Sequence, residues 1–365
     1  MVRLYGWTGD GIMGFIANKL LLSRSVDSYD PTTGQFTKGA VMGGSRATGV
    51  NVADIDNLSL ADTVTDSSLS IGYAGSVDST RDLGFLCNPL SDEISCIDFS
   101  DISNVSIADS VADSDKFDFT RGVAADSTTE IVYVSGSTPN YFNAVDYSDP
   151  TNLSITSSLS TTYGGDLVVV DTARDTAFMK AGGRLTSINI SNPASMSERT
   201  TLVSSSNMNT AGGLAIDTTN NLVFTGHYSN DKVSVINTSN VASLSVISSL
   251  SDSTNLNQPT VLATDPSKEL LFCLCVDTLS VVDYSNTSSM SITDTVSEVN
   301  LGAGNSRSLA VDPVRELVFA KARSENKTVY VYDYSDPTSL TLAGTMTGAL
   351  SNTNGGFIVL GGIAS

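Results

Sequence analysis

The sequence predicts an all-β fold: a seven-bladed β-propeller of four-stranded antiparallel blades, closed by the C-terminal strand joining the first blade. Three observations carry this. One phrase recurs seven times, as VNVADIDNLSLADTV, CIDFSDISNVSIADSV, AVDYSDPTNLSITSSL, SINISNPASMSERTTL, VINTSNVASLSVISSL, VVDYSNTSSMSITDTV and VYVYDYSDPTSLTLAGTM. Each copy is an alternating apolar run, a Ser/Asn/Asp turn and a second alternating run, which is two short strands around a tight turn. The second run starts at Leu58, Val105, Leu153, Met196, Leu244, Met290 and Leu340, at intervals of 47, 48, 43, 48, 46 and 50 residues. A period in the forties built only of strand-like runs indicates propeller blades, since one blade cannot bury both of its faces.

The third observation is a second marker between copies. Asp78, Asp126, Asp171, Asp217, Asp265 and Asp312 each close an apolar run, and five residues later another strand begins, as in Leu222, Leu270 and Leu317. Each unit therefore reads strand A, Asp turn, strand B, loop, strand C, Asx turn, strand D. Seven residues before each second run stands Asn51, Asp98, Asp146, Asn189, Asn237, Asp283 or Asp333. A short polar side chain there can accept backbone N–H groups two residues on and fix the turn.

Taken in order, residues 1–35 fall outside the repeat and form an N-terminal arm, with Trp7, Met13, Phe15 and Ile16 as an apolar load. Its apolar patches are broken by Gly and Asp10, so it reads neither as a signal peptide nor as a membrane span. An ordered arm needs a surface, either its own ring or a partner subunit in a larger assembly. Residues 36–365 form the propeller, with blades at about 36–70, 71–118, 119–160, 161–207, 208–255, 256–303 and 304–350. The first copy has no good strand A. Counting 27 residues on from Asp333 reaches Leu360, so GGFIVL is expected to supply it. Closure of this kind removes open sheet edges.

Strands alternate in direction, so the A–B and C–D turns share one rim, nearly the same in every blade. The B–C and D–A loops share the other rim and differ throughout (NPLSDE, KAGGR, GHYSNDK, STTYGG, SEVNLGAGNSR). A rigid frame with one irregular loop face is a common carrier of binding sites. On that rim fall the candidate binding residues Phe117, Phe119, Arg121, Tyr163, Arg184, His227, Tyr228, Arg307 and Arg323. Arg and Tyr suit protein or glycan contacts. The one histidine, His227, reads as a solvent-facing loop residue, since no nucleophile motif accompanies it.

Chemistry is otherwise sparse. The acids Asp109, Asp113, Asp115 and Asp118 lack calcium-loop spacing and read as a solvated loop. Four cysteines form no metal motif, so no cofactor and no metal is expected; Cys87 and Cys96 could form a disulfide or stay free. A net charge of −20 disfavours nucleic acid and an anionic membrane as partners. The chain is expected not to be an enzyme; the rival is a metal-dependent propeller hydrolase or lyase.

AVDYSDPTNLSITSSL and VYDYSDPTSLTLAGTM resemble the LVIVD repeat, and the AVD–LVF half resembles YVTN-type surface propellers, over about residues 36–365. The only tryptophan, Trp7, lies outside the ring, unlike WD40 and kelch repeats. The resemblance implies a binding scaffold at a cell surface or outside the cell. A Ser/Thr/Asn/Asp-rich, Cys-poor propeller without a signal also resembles a virion protein such as a capsid decoration, spike or tail component. The resulting expectation is a structural and adhesive module on a virion or cell surface, binding a protein partner or a glycan through its variable rim.

Overall fold

The computed structural model describes residues 29–30, 35–36, 38–43, 46–51, 59–66, 69, 74–88, 91–136, 140–208, 212–297, 308–321, 328–347 and 357–360. Six blades, I to VI, are each made of four consecutive antiparallel strands. Their inner strands are Ala74–Asp78, Thr120–Asp126, Leu167–Asp171, Leu214–Asp217, Val261–Asp265 and Ser308–Asp312. Their outer strands are Ser106–Ala112, Ser154–Ser160, Ser197–Val203, Ser245–Ser251, Ser291–Ser297 and Thr341–Met346.

The seven-blade expectation is corrected here. Six blades, not seven, close within one stretch of chain. The first copy of the repeat makes no blade of its own. Its strands Lys38–Gly43, Arg46–Asn51 and Ser59–Thr65 form a sheet whose fourth member, Phe357–Leu360, comes from the other end of the chain. Gly39 faces Leu360 and Met42 faces Phe357 across that pairing. The physical reason is the missing strand A: a bare edge at Lys38–Gly43 takes the strand available. Phe357–Leu360 also touches the inner strands of blades VI and I. Most of the N-terminal arm lies outside the described residues; Tyr29–Asp30 and Gln35–Phe36 pair with each other.

The turn chemistry is regular. Asp98, Asp146, Asn189, Asn237, Asp283 and Asp333 accept the amide two residues on, at 2.7 to 3.3 Å. The A–B turns end on Asp82, Glu130, Asp175, Asn221, Glu269 and Glu316, all at φ between 47 and 58°. Polar residues tolerate this left-handed state when the turn is held by its neighbours.

The core lies between blades rather than within them. Phe85, Phe224 and Phe272 pack their rings on Tyr147, Tyr284 and Tyr334 of the following blade at 4.5 to 4.7 Å. Each tyrosine hydroxyl then donates to the buried A–B aspartate of the earlier blade: Asp78 at 3.1 Å, Asp217 at 2.9 Å and Asp265 at 2.9 Å. Where the next blade offers no tyrosine, the turn satisfies its own aspartate. Thr129 donates to Asp126, Arg174 to Asp171 and Arg315 to Asp312. Every one of these six buried carboxylates is thereby paired, as burial demands.

A second latch sits on the outer strands. Each C–D pairing carries a bulge, for example between Cys96 and Ile97 and between Val281 and Val282. The outer-strand residue just past the bulge reaches the next blade. Asp109 accepts the Leu153 amide at 2.7 Å, and Asp294 accepts the Leu340 amide at 2.7 Å. Ser157 and Ser248 at the same position instead donate to the carbonyls of Pro193 and Thr287.

Candidate functional site

The variable rim of blades II to IV gathers the polar groups least consumed by the fold. Blade III supplies the central turn. Its strands Thr176–Ala181 and Arg184–Asn189 are joined by Gly182 and Gly183, with Gly182 at φ 55°. A two-residue hairpin turn of this kind favours glycine. A Cβ on Gly183 would lie 2.8 Å from Ser205 Cα, so the glycine lets the next D–A loop close over the turn. Ser204 N–H donates to Gly183 O at 2.9 Å.

Arg184 follows this turn. Its guanidinium carbon lies 4.1 Å from the centroid of the Tyr163 ring, a stacked cation–π contact. Tyr163 is fixed from behind, since Thr161 Oγ1 donates to its carbonyl at 2.9 Å. Thr162 donates its amide and its hydroxyl to the two carboxylate oxygens of Glu198, at 2.7 and 3.0 Å. The Nε of Arg184 is buried and meets no acceptor. Of the six arginines described in blades I to VI, the other five (Arg81, Arg121, Arg174, Arg199 and Arg315) donate hydrogen bonds.

Asp166 ties the neighbouring pieces together. One oxygen pairs with Arg121 of blade II at 3.2 Å, and the other accepts the Gly182 amide at 3.3 Å, two residues before Arg184. The backbone amide of Asp166 donates to Lys180 O at 2.7 Å. Lys180 itself is fully buried on the second strand of blade III. Burial pushes its amine down to about 8, and the nearby Asp166 charge opposes that shift. Lys321 occupies the same strand position in blade VI, and burial likewise pushes it down to about 8.

The remaining expected residues are dispersed. Phe119 is 49% exposed and held at φ 50°, beside the start of the inner strand of blade II. Phe117 is not on the surface; it is fully buried in the core shared by blades I and II. Its amide donates to Asp113 O at 2.8 Å, and its ring packs into that shared core. His227 is not solvent-facing either. It ends a buried strand at 3% exposure, with Nε2 donating to Ser205 O at 3.1 Å and Nδ1 buried without a partner. Tyr228 begins a one-turn 3-10 helix, Tyr228–Asn230, and is half-buried. Arg307 and Arg323 lie outside the described residues.

Sequence reasoning missed Lys180 and Asp166. The available signal was a lysine, at Lys180 and again at Lys321, in a strand slot filled in the other four blades by Cys87, Ser135, Gly226 and Leu274. The acids near Asp113 do not converge: Asp109 serves as a latch to blade II, while Asp113 holds Lys116 at 2.8 Å. The four cysteines form no disulfide and are buried, and Cys96 faces Phe85 rather than Cys87 across the ladder. Among the described residues, no three His, Cys, Asp or Glu side chains converge as metal ligands, and no helix is long and apolar enough to cross a membrane.

No protein-family model matches the chain, and no curated protein matches it. Solved structures do. A functionally unknown protein from Desulfotomaculum acetoxidans superposes with TM-score 0.69 at 11% identity, over 88% of this chain and 99% of its own. A candidate 6-phosphogluconolactonase from Bacteroides fragilis gives TM-score 0.69 at 9% identity, over 90% of this chain and 100% of its own. A hypothetical selenium-binding protein from Sulfolobus tokodaii gives 0.66 at 10% identity, over 85% and 90%. At such identities the likeness establishes the propeller fold alone.

Proposed function

We propose that the chain is a non-catalytic structural and adhesive propeller, displayed on a virion or a cell surface, that binds a partner or glycan through its variable rim. One contrast supports this. On the uniform rim, the Asp and Asx side chains are consumed inside the ring, as turn acceptors and as acceptors from the next blade. On the variable rim, the Arg184 guanidinium meets no carboxylate and the Phe119 ring is 49% exposed. Leftover arginine and aromatic surface is characteristic of contact sites. A chain of net charge −20 that keeps a guanidinium without a carboxylate has a use for it.

Electron microscopy of the native assembly tests the reading. The variable rim is expected to face outward. If it is packed against the particle and the uniform rim faces solvent, the adhesive role fails. The rival, a metal-dependent hydrolase or lyase, is tested by melting the protein with and without Ca²⁺. A large upward shift at micromolar metal, lost with chelator, would favour the rival.

A further inference from the structure

We infer that the side-chain cluster of Arg184, Tyr163, Asp166 and Arg121 binds a carboxylate-bearing sugar; this names the ligand of the rim proposed above and rests on that reading. The first premise is a receptor held ready. Arg184 is stacked on Tyr163 at 4.1 Å and its Nε is already desolvated without an acceptor. A guanidinium restrained this way loses little freedom on meeting a planar carboxylate, which it can grip with two parallel hydrogen bonds. The second premise is the neighbour. Asp166 is engaged by Arg121 at 3.2 Å and by the Gly182 amide at 3.3 Å, and each carboxylate oxygen keeps further accepting capacity. Arginine donors and a carboxylate acceptor therefore belong to one connected cluster, with Asp166 bonded to the amide two residues before Arg184.

That mixture selects the ligand. A bare phosphate brings little besides acceptors, and an acidic peptide, though it carries backbone N–H donors, brings several carboxylates; either would set its charge against Asp166. A nucleic-acid strand needs a run of cations along its backbone, and here an acid interrupts the two arginines. An acidic pyranose brings one carboxylate for Arg184, hydroxyl donors for Asp166 and an apolar ring face.

The test is calorimetric titration of the full chain with sialic-acid and galacturonic-acid trisaccharides, maltotriose as the neutral control and tri-glutamate as the peptide alternative. At least one acidic trisaccharide is expected to bind with Kd of about 0.1–1 mM. Maltotriose and tri-glutamate are expected to bind at least about tenfold more weakly, a gap of about 1.4 kcal/mol. Arg184→Ala should lose binding at least about tenfold, and Arg184→Lys should lose most of it, because an ammonium cannot grip a carboxylate bidentately. The lysine variant keeps the stem packed and stands in if the alanine variant fails to fold. Wild-type affinity in Arg184→Lys, tri-glutamate binding as tight as the sugars, or no acidic sugar binding would each overturn the inference. A sugar-silent chain whose variable rim still faces outward in the assembly sinks this inference alone. Sugar binding with that rim turned inward sinks the display reading alone.

Discussion

The phenol of Tyr334 donates to a carboxylate oxygen of Asp265, one blade earlier, at 2.9 Å, while its ring packs 4.7 Å from Phe272 of the same earlier blade. Asp265 is 1% exposed, and its other oxygen is taken by Ser267 through amide and hydroxyl at 3.0 and 2.6 Å. Burial, and then Asp265 itself, hold the phenol well above its usual titration range, so it stays a donor. Tyr334→Phe keeps the ring contact and strips one donor from a buried carboxylate. The expected loss is about 1–3 kcal/mol in urea unfolding. A variant as stable as wild type would mean the pair contributes nothing.

The outer-strand latch is tested at Asp294, which accepts the Leu340 amide at 2.7 Å. Asp294→Ala should destabilise by about 0.5–2 kcal/mol, as other lost side-chain-to-backbone caps do. Hydrogen exchange should speed up at the Leu340 amide specifically. Unchanged protection there would show that the amide has another acceptor.

Lys180 predicts a pH signature. Its amine is pushed down to about 8 in the folded chain by burial, whereas an unfolded lysine titrates near about 10.4. Between those values the unfolded state holds more protons, so the penalty is fully present below about pH 8 and is relieved as pH rises toward about 10.4. Lys180→Met should therefore be more stable than wild type by about 1–3 kcal/mol at neutral pH and lose that advantage above about pH 10.4. Urea melts of both proteins across this window decide it; parallel profiles would count against the buried amine.

Phe357–Leu360 pairs along Lys38–Gly43 and touches the inner strands of blades VI and I. Deleting residues 355–365 should bare three neighbours at once, lowering the melting temperature by several degrees and driving association through the open edge. A truncated chain that melts as before and stays in its original oligomeric state would refute that.

The sequence by itself determined the strand rhythm, the turn acceptors and the two-rim division. All three are local: a period-two run needs only alternating residues, and an Asx turn needs only a side chain two residues from its amide. Asp146 and Ser148, or Asp333 and Ser335, can be read this way without knowing the fold. Tertiary structure alone decided what crosses between blades. Tyr147 bonds Asp78 from 69 residues away, and Arg184, after a Gly-Gly turn, stands over Tyr163 in the loop that precedes blade III. The same holds for Phe117 and His227, whose loop-like sequences place them on the surface while interblade packing buries them. The composite sheet differs: the 27-residue count from Asp333 to Leu360 already pointed to a C-terminal strand beside the first copy, and Phe357–Leu360 pairs there with Lys38–Gly43. Hydrophobic burial and carboxylate desolvation act on whatever lies nearby in space, and sequence spacing carries no record of that proximity.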